Sequence, residues 1–206
     1  AGARHPAAWS AGTRHPGAGH AAGRHGARTR PGARPAARRP RLGIAGAVLE
    51  GATHKTLAAY LSETIWSRLG MEQDATWWVE TPGGMGFGGG GVGATLRDYG
   101  RFGLFVLRDG VIEGQRVVPK GWFQESGSAH VIGGKSVDYG YLWWPMPAGD
   151  AIHQGAFAAR GIFGQFLYIN PREKLVIVVL SARSKPTDAN VLPDSAFFAA
   201  VARALQ

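Results

Sequence analysis

The chain has 206 residues, 45% of them hydrophobic, with 32 Gly, 12 Pro, no Cys and a formal net charge of +9. That length suits one ordinary domain with a sizeable core, with or without a tail. The missing cysteine excludes disulfides, thiolate catalysis and thiolate-held zinc or iron–sulfur centres, and no apolar run of 18 residues offers a transmembrane helix.

The charge is uneven along the chain. Residues 1–41 hold nine arginines and no Lys, Asp or Glu, whereas residues 42–206 hold 14 basic and 14 acidic residues, which cancel. Ala, Gly, Arg, Pro and His supply 37 of the first 41 residues, with no Leu, Ile, Val or Phe. Such a stretch buries too little surface to offset its chain entropy and reads as disordered. Three origins fit it: a phosphate-seeking nucleic-acid arm, a targeting peptide lacking the usual apolar residues, or an out-of-frame reading of GC-rich DNA.

Residues 42–52 are apolar with one acid, Glu50, and predict a short helix. In residues 56–69, Leu57, Tyr60, Leu61, Ile65 and Leu69 recur at spacings of three and four, predicting an amphipathic helix that Gly70 stops. Residues 75–80 fit a short strand, and residues 81–93, with eight glycines, a loop. Residues 95–107 predict a helix opened by Thr95-Leu96-Arg97-Asp98, a capping box with Asp in place of Glu, and ended by Gly110.

Residues 111–118 fit a hairpin turning at Glu113-Gly114, and residues 119–125 a short helix. Residues 139–144 read as an aromatic strand. The two best strands are residues 162–169 and 175–180, joined across residues 170–174, and residues 197–205 form a terminal amphipathic helix. Helices and strands that segregate along the chain predict an α/β (α+β) fold with an antiparallel sheet flanked by helices, not a doubly wound one.

Few motifs carry chemistry outright. Gly84-Met85-Gly86-Phe87-Gly88-Gly89 spells a dinucleotide fingerprint, but Thr81-Pro82 interrupts the approach and a hairpin follows the next helix, so a tight loop is the better reading. His54, His130 and His153 lack metal-ligand spacing and read as surface or packing histidines. In the pairs Trp77-Trp78 and Trp143-Trp144, strand alternation turns one ring to the core and leaves the other for a cleft. Gly161 and Gly164, in Arg160-Gly161-Ile162-Phe163-Gly164-Gln165, allow close backbone approach at the start of the best strand.

An ordered series of soft motifs then carries a resemblance. Leu42-Gly43, residues 57–61 and Arg68-Leu69-Gly70-Met71 come first, then residues 88–91, Thr95-Leu96-Arg97-Asp98 and Arg101-Phe102-Gly103. Val117-Val118-Pro119 with Trp122, residues 139–144, residues 161–165 and Ile169-Asn170-Pro171 follow in order. Over residues 42–206 the series resembles the C-terminal part of the serine β-lactamase-like hydrolases, especially class C-like esterases and 6-aminohexanoate-dimer hydrolases. The resemblance implies a β-lactamase/transpeptidase-like fold, here incomplete, with residues 1–41 as tail and 42–206 as the C-terminal part of the domain.

It also implies acyl transfer through a Ser-x-x-Lys nucleophile, a Tyr-x-Asn proton carrier and two backbone oxyanion donors, acting without metal or cofactor on a small amide, ester or β-lactam. No serine of this chain begins Ser-x-x-Lys. Tyr168-Ile169-Asn170 spells Tyr-x-Asn but ends the strand after the Gly-Gln motif, where it reads as a coincidence; the expected place holds Arg38-Arg39-Pro40-Arg41. What matches is the third element: Gly161 for close substrate approach and Ile162, whose N–H is the second oxyanion donor. Tyr141, Trp143, Arg160 and Phe163 are the candidate substrate-binding residues, and His54 replaces a glycine at a helix-connecting turn.

The chain therefore reads as a hydrolase domain without its nucleophile and inactive alone, expected to expose the apolar surface of the terminal helix and an unpaired strand edge. The alternative is a non-catalytic binding domain with a basic nucleic-acid-binding arm. The compartment, bacterial cytoplasm or periplasm, is left open.

Overall fold

A computed structural model describes residues 40–79, 84–186 and 193–206. The expected tail lies outside these residues except for Pro40 and Arg41, which already belong to the first helix, α1 (Pro40–Thr53). The described chain divides into two compact units, one taking residues up to 63 with 74–93, the other residues 64–73 with 94–206.

The first unit holds α1, α2 (Leu57–Thr64) and a two-stranded antiparallel ribbon of β1 (Thr76–Trp77) and β2 (Val92–Gly93). Between the helices His54 takes a left-handed backbone, φ 53°. A glycine adopts that conformation without a Cβ penalty. Of the tryptophan pair here, Trp77 is half-buried and donates its indole N–H to the Phe87 carbonyl at 3.1 Å, while Trp78 is exposed.

The predicted helix over residues 56–69 is split. It ends at Thr64, and after Ile65 the chain continues in the second unit as a single 3-10 turn, Trp66–Arg68, with Gly70 in the left-handed region. Next comes α3 (Leu96–Leu107) with the expected cap: the Thr95 hydroxyl accepts the Asp98 N–H at 3.1 Å and donates to the Asp98 carboxylate at 2.8 Å. Asp98 is fully buried and also accepts the backbone N–H groups of Glu72 and Gln73, so one carboxylate caps the helix and ties residues 72–73 to it.

The hairpin β3 (Val111–Ile112) and β4 (Gln115–Arg116) turns at Glu113-Gly114, both at positive φ as a two-residue hairpin turn requires. Helix α4 (Trp122–Ser126) follows. A second hairpin, β5 (His130–Ile132) and β6 (Lys135–Val137), turns at Gly133-Gly134 and was not expected from the sequence.

The main sheet is antiparallel in the order β10-β9-β8-β7, from β7 (Trp144–Pro145), β8 (Phe157–Arg160), β9 (Phe166–Asn170) and β10 (Leu175–Val179). Helix α5 (Asp194–Ala204) starts one turn earlier than its apolar spacing suggests. Two sequence expectations are corrected here. Of residues 139–144 only Trp144 is strand, because Leu142 sits at φ 68° and Gly140 and Trp143 close a turn. The strand predicted over residues 162–169 begins at Phe166, and residues 161–165 form the hairpin turn leaving β8.

Strand alternation assigns each residue of this sheet to one of two layers. Phe157, Leu167, Ile169, Val176 and Val178 join Phe105 and Val106 of α3 in one core cluster. Ala158, Tyr168, Leu175, Ile177 and Val179 join Phe198 of α5 in the other. Burial on both faces explains why the strands read as continuous apolar runs. Gly103 is the contact point of the α3 layer: a Cβ there would lie 2.5 Å from Val176 Cγ1.

Candidate functional site

Register carries the two-layer rule to the end of β8. Arg160 pairs with Phe166, and Ala158 with both Tyr168 and Trp144, so Arg160, Phe166 and Trp144 lie on the α5 side. Trp143 lies on the other, half-buried and edge-on to Phe157 at 5.1 Å and Phe123 at 6.5 Å. Alternation thus separates the two tryptophans as expected, with Trp143 against the core and Trp144 on the exposed side.

The turn after β8 is held by its own backbone, by the side chains of Gln165 and Ser181 and by the backbone N–H of Arg183. Gly161 N–H donates to the Gln165 carbonyl at 2.8 Å, Gly164 N–H to the Gly161 carbonyl at 3.1 Å, and Phe163 N–H to Gln165 Oε1 at 3.2 Å. Gln165 Nε2 donates to the Ser181 carbonyl at 2.6 Å. The Ser181 hydroxyl lies 2.9 and 2.7 Å from the Phe163 and Gly164 carbonyls, and Arg183 N–H donates to Phe163 O at 3.0 Å. Two amides of the turn, those of Ile162 and Gln165, have no acceptor among the described residues, and of these Ile162 belongs to the more exposed residue. A backbone donor fixed in place, with its neighbours committed, is what a preorganised oxyanion site requires. Ile162 and Phe163 are both solvent-accessible.

Gly161 is required by contact rather than by backbone angle. A Cβ there would lie 2.2 Å from Gln165 Oε1, so the bare backbone leaves room for the side chain that braces the turn. Gly164, at φ 84°, is needed for both reasons, since a Cβ there would meet Arg183 Nε at 2.3 Å.

Arg160 sets the electrostatics beside this turn. Its guanidinium carbon lies 5.6 Å from the centroid of the Trp144 ring and 6.0 Å from that of Phe166, and Nη2 is 3.8 Å from Met146 Sδ. Burial lowers the basicity of the group, and the nearby Asp194 carboxylate works the other way.

Tyr141 belongs to another cluster. Its ring stacks on His130 at 4.4 Å and faces Trp122 at 5.8 Å, its hydroxyl donates to Glu125 at 3.4 Å, and His130 Nε2 is buried with no hydrogen-bond partner among the described residues. The structure therefore brings Arg160, Gly161, Ile162 and Phe163 together, sets Trp143 in the core behind them, and stacks Tyr141 with α4 and β5. Trp144 lies beside Arg160 on β7, and Gln165, Ser181 and Arg183 brace the turn. The alternating tryptophan pair signals Trp144, whereas nothing in the sequence signals that Ser181 and Arg183, 17 and 19 positions after Gly164, brace the turn.

Tyr168-Ile169-Asn170 has a different place from a proton carrier. The Tyr168 hydroxyl accepts from Asn170 Nδ2 at 2.8 Å and lies 2.9 Å from His153 Nδ1, while His153 Nε2 donates to the Ser195 carbonyl at 3.0 Å. All three side chains are buried, so this is a packing network.

Compared with known families, the chain matches the model described as Beta-lactamase over residues 3–201. The chain belongs to the β-lactamase family. This β-lactamase-family chain is similar to the 6-aminohexanoate-dimer hydrolase of Paenarthrobacter ureafaciens, 34% identical over 149 residues, covering 68% of the chain but only 37% of that relative. Among solved structures, one described as a 6-aminohexanoate-dimer hydrolase from Bacillus anthracis aligns with a TM-score of 0.66 at 31% identity, over 78% of this chain and 41% of that one. A β-lactamase from Mycobacterium bovis shares the fold, with a TM-score of 0.57 at 20% identity over 80% of this chain and 62% of that one. The β-lactamase-like, mixed α/β architecture expected from the motifs is thereby shown, and the chain spans about two fifths of the length of the first relatives it matches. No helix among the described residues is long and apolar enough to cross a membrane.

Proposed function

We propose that residues 160–163 form one wall of a serine-hydrolase acyl-transfer site, with the Ile162 N–H as the second oxyanion donor. Gly161 lets the acyl carbon approach the backbone, and Arg160 and Phe163 flank the substrate. Tyr141 and Trp143 act from behind, through the position they give α4 and β7. The observation that carries this reading is the uncommitted amide of the exposed Ile162, set between the held amides of Gly161 and Phe163.

The substrate is an amide, ester or β-lactam, and the name of the Paenarthrobacter relative favours a linear amide. Catalysis also needs a nucleophile, its base and a first oxyanion donor. Ser-x-x-Lys occurs nowhere in the 206 residues. Enzymes stripped of a catalytic unit retain only the residual rate supplied by binding and the oxyanion site. The chain alone is therefore a binding wall that forms no acyl-enzyme.

Two measurements test this. Intact mass after incubation with a fluorescent penicillin and a p-nitrophenyl ester is expected to show no covalent adduct; an adduct refutes inactivity. In a 1H–15N spectrum, the Ile162 amide is expected to move downfield as 6-aminohexanoate dimer is added, and an unmoved Ile162 amide refutes its role as donor.

A further inference from the structure

Strand β10 closes the main sheet on one side, and its backbone is only half used. The Gly161 N–H bond to the Gln165 carbonyl sets the parity of the β8–β9 ladder, so Phe157 and Ala159 exchange hydrogen bonds with Ile169 and Leu167. Phe166, Tyr168 and Asn170 therefore turn their backbone groups to β10, where they meet Val179, Ile177 and Leu175. The N–H and C=O groups of Val176 and Val178 point off the sheet and have no partner among the described residues. We propose that this edge is an interface between two copies of the chain, joined through β10 about a two-fold axis into one continuous antiparallel sheet.

The two edges of the sheet differ in how they are protected. β7 carries Pro145, which has no N–H to offer a further strand. β10 runs Leu175–Val179 in unbroken register with β9, with no charge and no proline to discourage pairing. All five residues stay half-buried although helices cover both faces of the sheet.

The strand is also complementary to itself. Only residues with outward backbone groups can exchange bonds with a second copy, and full overlap of the strands then sets Val176 opposite the second copy's Val178. Ile177 falls on the axis opposite its own mate, and Leu175 meets Val179. Every pair is apolar against apolar, and no like charges face each other.

Helix α3 continues the same surface above the edge. Gly103 faces Val176 of β10 and Leu167 and Ile169 of β9, so the helix lies over the junction of these strands. Its Phe105 flank turns to Phe123, on the side where α4 ends against Phe157 of β8. At about 100° per residue, Leu96, Gly100 and Leu104 form a stripe on the opposite flank, facing past β10. Leu96 and Leu104 are 50% and 41% exposed, and a Cβ on Gly100 would meet nothing within 4 Å. With strands about 4.8 Å apart, the axis of α3 stands about 5 Å from the two-fold and about 10 Å from its mate, the spacing at which helices pack. Gly100, at the middle of each stripe, leaves room for that approach.

Sedimentation velocity of the full chain is expected to show a monomer–dimer equilibrium, with the Val176 and Val178 amides exchanging more slowly as the dimer fills. The chain has no cysteine, so a single introduced thiol reports the register. Ile177→Cys sets two thiols on a non-hydrogen-bonded pair with Cα atoms about 4.5 Å apart and is expected to cross-link on mild oxidation. Val179→Cys leaves its thiols about 13 Å apart and is expected to stay unlinked. Gly100→Gln adds a side chain where the single chain has open space, so it is expected to hold or raise Tm while weakening the dimer at least about tenfold by overpacking. Thermal melts of the cysteine variants check that they fold, and Gly100→Gln tests the interface without touching the core. A chain that stays monomeric, a Gly100→Gln variant that associates as tightly as the parent, or Ile177→Cys that cross-links no better than Val179→Cys overturns the proposal. So does a monomer whose Val176 and Val178 amides are already protected, because residues of the same chain then cover the edge. Oligomers that grow beyond the dimer refute the closed two-fold.

Discussion

Replacing Gly161 by alanine places a methyl group where Gln165 Oε1 now lies, 2.2 Å away, with Gln165 Cβ and Cδ each at 3.0 Å. Carbon and oxygen cannot approach so closely, so the amide of Gln165 must swing out by about an ångström. That motion breaks both of its bonds, from Phe163 N–H and to the Ser181 carbonyl. Two hydrogen bonds at about 1 kcal/mol each give a loss of about 2 kcal/mol. Restricting the unfolded chain by Gly→Ala returns about 0.4–1 kcal/mol. The net cost is about 1–1.5 kcal/mol, which for a unit of this size lowers Tm by roughly 4–8 °C. Circular dichroism melts of Gly161→Ala, Gln165→Ala and the double variant measure it. Gln165→Ala alone loses the same two bonds, so the double variant is expected to melt close to either single one. Additive losses, or a Gly161→Ala melt indistinguishable from the parent, refute the claim that Gln165 braces the turn.

His54→Gly relieves the left-handed backbone between α1 and α2 and is expected to raise stability by about 0.5–1 kcal/mol in thermal melts, with a decrease as the refuting result. Tyr168→Phe removes the hydroxyl between His153 and Asn170, which leaves His153 Nδ1 buried without its partner and Asn170 Nδ2 with only its bond to the Ile152 carbonyl. It is expected to cost about 1–3 kcal/mol in urea unfolding, and a change within about 0.5 kcal/mol shows the network to be inert.

Local chemistry was legible where it was self-contained. Thr95 and Asp98 announce their helix because both partners of the cap lie within one turn, and Glu113-Gly114 announces its hairpin because only a left-handed pair fits between those strands. The strand β8 escaped notice because Phe157-Ala158-Ala159-Arg160 is poor in β-branched residues and is held by pairing with β7 and β9 rather than by its own preference. Ile162 and Phe163 are apolar enough for a strand but sit in the turn between Gly161 and Gly164. Gly133-Gly134 between His130-Val131-Ile132 and Lys135-Ser136-Val137 is a local hairpin signal, both glycines sitting at positive φ. For the site, the position of Gly161 and Ile162 came through the family motif, whereas its bracing by Ser181 and Arg183 depends on where β10 delivers the chain. Sequence spacing does not report that.

That bracing has a consequence for the order in which the molecule assembles. The Ser181 hydroxyl reaches back 17 and 18 positions to the Gly164 and Phe163 carbonyls, across the whole β9–β10 hairpin. Until that hairpin has zipped and its exit strand has arrived, residues 161–164 are restrained only by the Gly164 N–H bond to the Gly161 carbonyl and by Gln165. Closing such a span costs entropy before any contact rewards it, so the turn matures late, after the sheet it interrupts. Substitutions at Ser181 or Arg183 should therefore speed unfolding while leaving the folding rate almost untouched, the signature of contacts absent from the transition state.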